Sequence, residues 1–131
     1  MEPNEWKDEY AIGIEIIDEQ HKKWLSLFRQ LQISFKANKH MEVLGNILDE
    51  LLEYTQYHFD TEESLLERHN YPNKEEHIHL HEGFKSKLIK LSTDYKNKKA
   101  TLTYELISVL SNWLIDHILW EDKQYVSFVK K

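Results

Sequence analysis

The sequence contains no cysteine, only three glycines and only two prolines. Without cysteine there can be no disulfide, no thiolate nucleophile and no sulfur ligand for a structural zinc or an iron–sulfur cluster. Any bound metal must therefore be held by nitrogen and oxygen atoms. Because few residues break regular structure, the long segments between them favour helices over a sheet with its many turns.

Basic patches and long apolar runs are also missing. Acidic residues outnumber basic ones, which gives a net charge of −6, and no block of lysine or arginine gathers positive charge in one place. We therefore expect neither nucleic acid nor an anionic membrane as a partner. No signal-peptide pattern and no run of about 18 apolar residues occurs, so we expect a cytoplasmic protein without membrane insertion.

The 131 residues, 40% of them hydrophobic, suffice for one core but not for two, so we predict a single domain over 1–131. Apolar residues recur at helical spacing in four segments. This pattern predicts an all-α fold, an antiparallel up-down four-helix bundle over 18–122. An extended N-terminal arm over 1–17 should precede the bundle. A short C-terminal helix within 123–131 should fold back onto it.

Several residues predict how these elements begin. Trp6 and Tyr10 should anchor the arm against the body of the protein. Asp18 is a favourable N-cap residue for the first helix. Asn73 and Glu76 have the spacing of a capping box at the start of the third.

Ionisable side chains interrupt the apolar faces of all four predicted helices. On the second helix a histidine and a glutamate are four residues apart, and on the third helix two histidines repeat this spacing, so each pair points inward from successive turns. The inward set is His21, His58, Glu62, His77, His81, His117 and Asp122. Burying so many ionisable groups is costly unless they share a compensating cation. We therefore predict that these residues bind metal.

Other residues of the same types are not expected to be ligands. His40, His69 and His79 fall in a loop, near a helix end and off the apolar face, respectively. Glu63, next to the predicted ligand Glu62, should belong to a solvated face. The four tryptophans are interpreted as core residues, because aromatic residues at helical spacing usually pack in the core.

Asp122 does not fit a regular fourth helix. It follows His117 by five residues, which corresponds to about 500° of rotation and places the two side chains about 140° apart. We therefore predict that the helix unwinds, ends or carries a π-bulge between these residues, a distortion that is frequent at functional sites.

Ligand counting indicates a binding site more than a catalytic one. Two iron ions offer about twelve coordination positions if each takes about six ligands. Five imidazoles, two bridging carboxylates and one bridging oxide or hydroxide would fill about eleven of them. The one open position suits a small molecule bound end-on and leaves little room for a second substrate.

Four motifs in this order closely resemble the hemerythrins. They are Asp18-Glu19-Gln20-His21, His58-x-x-x-Glu62, His77-x-x-x-His81 and Trp113-Leu114-x-x-His117-x-x-x-x-Asp122. The N-terminal aromatic residues, the His58-Phe59 pair and the Tyr71-Pro72 turn look like the bacterial single-domain branch of that family. The resemblance covers nearly the whole chain, and the four motifs together are specific although each alone is weak.

The resemblance implies a non-haem di-iron centre with an oxo or hydroxo bridge. One iron would be held by His77, His81 and His117, and the other by His21 and His58. Glu62 and Asp122 would bridge the two ions, and dioxygen would bind as hydroperoxide at the five-coordinate, two-histidine iron. Four apolar residues are candidates for the wall of the oxygen pocket. They are Trp113, Leu114, Ile118 and Leu119.

The expected function is therefore reversible dioxygen binding, for carriage, storage or delivery to an oxygen-consuming enzyme, by a monomer that is not itself an enzyme. Sensing of oxygen or nitric oxide, or iron handling through a partner, would use the same site. A di-iron oxidase or peroxidase is a further alternative. Oxidases of the ferritin type use paired Glu-x-x-His motifs. Here only Glu76-x-x-His79 has that spacing, and it lies off the inward face.

Overall fold

The computed structural model describes residues 6–37, 41–97 and 104–129, and every regular element in these ranges is helical. The four helices of the bundle are α1 (Glu15–Lys36), α2 (Met41–Arg68), α3 (Lys74–Lys96) and α4 (Tyr104–Asp116). A π-helical segment (His117–Asp122) follows α4 and leads into the short helix α5 (Lys123–Val129). The predicted all-α four-helix bundle is confirmed. No helix in the described ranges is long and apolar enough to cross a membrane.

An aromatic cluster fills the bundle core beside the predicted ligands. The ring of Trp24 on α1 meets Phe59 edge-on at 5.3 Å and Phe84 at 5.9 Å. Phe28 packs against the other side of Phe84, with their centroids 6.5 Å apart. The indole N–H of Trp24 donates to Thr55 Oγ1 at 2.9 Å, so its polar atom is satisfied although the ring is fully buried. This packing fixes α1, α2 and α3 relative to one another.

The first helix begins earlier than predicted. It starts at Glu15, and Ile14 occupies the N-cap position without a side-chain cap, so the prediction that Asp18 is the N-cap is wrong. Asp18 instead lies in the first turn and accepts hydrogen bonds from the backbone N–H groups of Ile12, at 2.8 Å, and Gly13, at 3.1 Å. Gly13 has a φ of 88°, a conformation that favours glycine. Asp18 therefore holds the turn that leads into α1.

The N-terminal arm is shorter and less extended than predicted. It contains a 3-10 turn, Asp8–Tyr10, and ends where α1 begins. Tyr10 is buried, and its ring meets the half-buried Trp6 edge-on at 5.5 Å. The Nζ atom of Lys22 on α1 lies 5.7 Å from the Trp6 ring centre. The predicted anchoring role of the two aromatic residues is confirmed.

The C-terminal part continues α4 instead of folding back. Asp116 and Lys123, on either side of the π segment, both have right-handed helical dihedrals. The predicted distortion between His117 and Asp122 is thus confirmed as a π segment, whereas the predicted reversal of the chain after it is wrong. Trp120 within this segment is 71% exposed, so its interpretation as a core residue is also wrong.

The capping box predicted at the start of α3 is not formed. Asn73 does occupy the N-cap position, but its side chain makes no capping hydrogen bond.

Candidate metal centre

The structure brings all seven predicted ligands together inside the bundle, each at most 4% exposed. Their ligand atoms form two overlapping groups, and within each group all of these atoms lie within 4.8 Å of one another. The first, the three-histidine group, consists of His77, His81, His117, Glu62 and Asp122. The second, the two-histidine group, consists of His21, His58, Glu62 and Asp122. The two carboxylates belong to both groups.

In the three-histidine group the imidazoles converge on one oxygen of each carboxylate. Nε2 of His77 lies 2.6 Å from Oε1 of Glu62 and 3.0 Å from Oδ1 of Asp122. Nε2 of His81 is 3.0 Å from the same Glu62 oxygen, and Nε2 of His117 is 3.0 Å from the same Asp122 oxygen.

In the two-histidine group the imidazoles face the other oxygen of each carboxylate. Nε2 of His21 lies 3.1 Å from Oδ2 of Asp122, and Nε2 of His58 lies 3.4 Å from Oε2 of Glu62. The two Nε2 atoms are 3.1 Å apart. Each carboxylate therefore presents one oxygen to each group, which is the arrangement that two neighbouring metal ions need for shared carboxylate ligands.

Helical spacing and the π segment together produce this convergence. Glu62 follows His58 by one turn of α2, and His81 follows His77 by one turn of α3, so each pair points to one side. In a regular helix the residue sharing the face of His117 would be Glu121, four positions on and about 40° away. The π segment uses more residues per turn, which turns Asp122 inward instead. Glu121 is left half-exposed.

Outer hydrogen bonds orient two of the imidazoles. Nδ1 of His58 donates to the amide oxygen of Gln20, and Nδ1 of His81 donates to Oε2 of Glu63, both at 2.8 Å. A hydrogen bond at Nδ1 fixes the ring so that Nε2 is free to bind a metal, and it makes that nitrogen a better ligand. The prediction that Glu63 is merely solvated is wrong. The contact between Glu63 and His81 joins α2 and α3, so no local pattern in the sequence predicts it.

Replacing Glu63 by alanine is expected to weaken metal binding by about 10-fold to 100-fold, the usual effect of removing such an outer partner. The loss arises because His81 would no longer be held in one tautomer and orientation. Anaerobic titration with Co²⁺ measures the affinity. The control is Glu67→Ala. This variant removes another carboxylate of α2, one that pairs with Lys74 at the surface. Equal affinities for the Glu63 and Glu67 variants would show that the hydrogen bond to His81 has no such role.

Tyr125 is a second residue that the sequence analysis did not place in the site. Its hydroxyl is buried and donates to Oε2 of Glu62 at 3.0 Å. Burial, with the nearby charges of Glu62 and Asp122, raises the pKa of this phenol well above its usual value. The available signal was its position three residues after Asp122, which is one helical turn.

The carboxylates are ionised despite their burial. Burial by itself would raise the pKa of Glu62, but hydrogen bonding to surrounding imidazoles, including His117, His58 and His77, lowers it well below the usual range. Burial and the charge of Glu62 would likewise raise the pKa of Asp122, whereas His117 and His21 lower it. Negative charge is thus retained where a cation would bind.

In the metal-free protein, protons replace that cation. Burial would lower the pKa of His77, but Asp122 and Glu62 raise it to about 9. Burial would also lower the pKa of His117, but Asp122 and Glu62 raise it to about 10. His58 differs, because burial dominates and lowers its pKa. These opposed shifts in one cluster are typical of a functional site.

The donor set fits a metal ion that accepts imidazole and carboxylate ligands. Within the described residues, Nδ1 of His21 has no hydrogen-bond partner, and neither oxygen of Asp122 makes a hydrogen bond of good geometry, although imidazole nitrogens lie 3.0 to 3.1 Å away. Such atoms are costly unless something else satisfies them, and a cation would satisfy the carboxylate. Five nitrogen ligands are typical of iron, zinc, copper or nickel sites and unlike the all-oxygen sites of calcium and magnesium.

The four predicted pocket residues differ in burial, and one of them stacks on His117. Leu114 and Ile118 are fully buried, and Leu119 is half-buried. The Trp113 ring stacks on the His117 ring with centroids 4.6 Å apart, and on Phe84 at 4.2 Å. Trp113 and His117 also line a surface cavity of about 290 Å³, together with Leu80, Asp116, Trp120 and Glu121.

The histidines expected to lie outside the site do so where they are described. His79 and His69 are exposed. His40 lies outside the described residues.

A four-helix bundle with two overlapping histidine and carboxylate groups defines a class of cation-binding helical proteins. The family model described as the hemerythrin HHE cation binding domain matches residues 12–129. The chain therefore belongs to the hemerythrin family.

Proteins of known name or structure agree with this assignment. The bacteriohemerythrin of Stenotrophomonas maltophilia is 33% identical over 128 residues, covering 95% of this chain and 80% of that protein. The bacteriohemerythrin of Clostridium acetobutylicum is 30% identical, covering 92% of this chain and 97% of that protein. A crystal structure of wild-type hemerythrin superimposes with a TM-score of 0.91 over 98% of both chains at 22% identity, which supports the fold.

Proposed function

We propose that this chain holds two iron ions and binds dioxygen reversibly, acting as a carrier or store and not as an enzyme. The observation that supports this most strongly is that Glu62 and Asp122 each present one oxygen to each group of histidines. That arrangement suits a pair of ions, because a single ion in one group would leave the carboxylate oxygens that face the other group without a metal. Membership of a cation-binding family and similarity to bacteriohemerythrins support the same proposal.

The two positions differ in the number of protein ligands. His77, His81 and His117 would hold one iron and His21 and His58 the other, with both carboxylates shared. The two-histidine position thus has one imidazole fewer, and we assign the dioxygen site to it. If two ferrous ions were held at these positions, they would supply two electrons to dioxygen and recover them on its release.

Aromatic and apolar residues beside the three-histidine group limit the access of water to it, apart from the surface cavity at Trp113 and His117. Leu114 and Ile118, three residues before and one residue after His117 in the chain, are fully buried, and the Trp113 ring covers one face of the His117 imidazole. In the same three-histidine group, Phe59 stacks on His81 with ring centres 3.8 Å apart. An apolar surrounding limits solvent access and the entry of protons that would favour irreversible oxidation.

The proposal is tested by measuring metal content and gas uptake together. The metal-free chain is loaded anaerobically with Fe²⁺, and dioxygen uptake is followed with an oxygen electrode. We expect about two iron ions per chain and about one dioxygen per iron pair, if each iron takes about six ligands and one position stays open. The gas should be recovered under argon. Oxygen consumption that is not recovered under argon, with oxidation of the bound ferrous iron and hydrogen peroxide in solution, would indicate an oxidase instead.

A further inference from the structure

Tyr125 touches one particular oxygen of the shared carboxylate Glu62. Its hydroxyl donates to Oε2 at 3.0 Å. Oε2 is the oxygen on the side of the two-histidine group, 3.4 Å from His58 Nε2 and 3.9 Å from His21 Nε2. The other oxygen, Oε1, lies 2.6 Å from Nε2 of His77 in the three-histidine group. The hydrogen bond therefore distinguishes the two halves of the centre.

The packing holds Tyr125 in this position. The side chain is 0% exposed, and its ring meets His77 at 5.6 Å and Tyr71 at 6.1 Å, both in edge-on geometry. It belongs to α5, which follows the π segment without a break, so the same segment that turns Asp122 inward also sets the rotation of Tyr125. A residue placed this way has little freedom to turn its hydroxyl elsewhere.

We propose that Tyr125 is a positioning residue that favours the ferrous state at the two-histidine position, acting through Oε2 of Glu62. A hydrogen bond to a ligand oxygen draws electron density from it, so the adjacent metal ion receives less negative charge. Less negative charge disfavours the ferric state, and hydrogen bonds to ligands are a recognised means of setting reduction potentials. This inference rests on the proposed di-iron function and assigns to Tyr125 the resistance of the reduced protein to oxidation.

The test compares Tyr125→Phe with the intact chain by spectroelectrochemistry, in which each ferric iron takes one electron from the electrode. The variant removes one oxygen atom and keeps the ring. We expect unchanged iron content and a shift of about tenfold toward the ferric form at a given potential, the lower end of the effect of one hydrogen bond to a charged group. For one electron, a tenfold shift corresponds to a potential lower by about 59 mV.

Tyr71→Phe is the matched control, because Tyr71 is also buried and packs against both His77 and Tyr125, while its hydroxyl interacts with Asn73. The reduction potential of the Tyr71→Phe variant should equal that of the intact chain. A Tyr125→Phe potential equal to that of the intact chain, or an equal shift in the Tyr71 variant, would overturn the inference.

A second readout does not depend on iron or oxygen. With Co²⁺ in place of iron, the ligand-field absorption of the Tyr125→Phe protein should differ from that of the intact chain, and the spectrum of the Tyr71→Phe protein should not. Identical spectra for all three proteins would also count against the inference. If the intact chain fails to bind dioxygen reversibly while Tyr125→Phe still lowers the potential, the proposed function fails and the role of Tyr125 stands.

Discussion

Replacing Asp122 by alanine is expected to abolish tight binding of both iron ions, whereas replacing its neighbour Glu121 should leave iron loading unchanged. Asp122 is fully buried, and its two oxygens face opposite groups, 3.0 Å from His117 Nε2 and 3.1 Å from His21 Nε2. Its removal therefore takes a ligand from both positions at once. The loss should exceed the roughly 100-fold that follows from removing an outer partner alone.

The comparison of these neighbours also tests the π segment. In a regular helix, Glu121 would lie about 40° from the direction of His117 and Asp122 about 140° away, so the roles of the two acids would be exchanged. Iron per chain, measured by metal analysis after removal of excess iron by gel filtration, distinguishes the two cases. Loss of iron from the Glu121 variant with retention in the Asp122 variant would show that the fourth helix is regular at this point.

The metal-free protein is expected to lose stability as the pH rises from about 6.5 to about 10. The pKa values of His77 and His117 are raised to about 9 and about 10 in the folded chain, above the value of 6.5 for an unperturbed histidine. Their contribution is therefore fully present below pH 6.5 and is lost as the pH passes through the raised values. Two such shifts amount to a contribution on the order of several kcal/mol.

Metal binding should offset this loss of stability at high pH. A metal ion competes with protons for the same nitrogen atoms, so its affinity rises with pH and the loaded protein should keep its stability where the metal-free protein loses it. Urea denaturation at several pH values, with and without anaerobic Fe²⁺, measures both. His117→Ala should flatten the metal-free profile, and the exposed His79→Ala should not. A metal-free protein whose stability is constant or increases over this range would contradict the charge arrangement described for the site.

Much of the site follows from helical spacing in the sequence. His58 with Glu62 and His77 with His81 are one turn apart among apolar residues, and helical geometry alone places them on the inner face. The π segment was predictable for a related reason, since Asp122 lies out of phase with His117 by about 140° in a regular helix. A predicted ligand that a regular helix would direct away from the other ligands indicates that the helix is distorted there.

What the sequence did not predict depends on contacts between segments far apart in the chain or on the exact path of the backbone. Glu63 reaches His81 across a helix interface, and Tyr125 reaches Glu62 from 63 positions away. The contact of Glu63 has no local pattern, and the only sequence signal for Tyr125 is its position one helical turn after Asp122. Asp18 is a residue type that favours the N-cap position, but the turn at Gly13 lets α1 begin earlier. The carboxylate of Asp18 instead accepts a hydrogen bond that holds this turn. The end of the arm and the predicted folding back of the C-terminal helix, which is itself present as α5, also depend on the exact path of the backbone.

The most direct test of the central proposal is an anaerobic optical titration of the iron-loaded, reduced chain with dioxygen, followed by removal of the gas. Reversible binding at an iron pair predicts a colourless protein that gains a visible charge-transfer band in proportion to the oxygen added. The band should disappear under argon and return over repeated cycles. A spectrum that changes once and does not revert, with loss of ferrous iron or accumulation of peroxide in solution, would contradict reversible dioxygen binding.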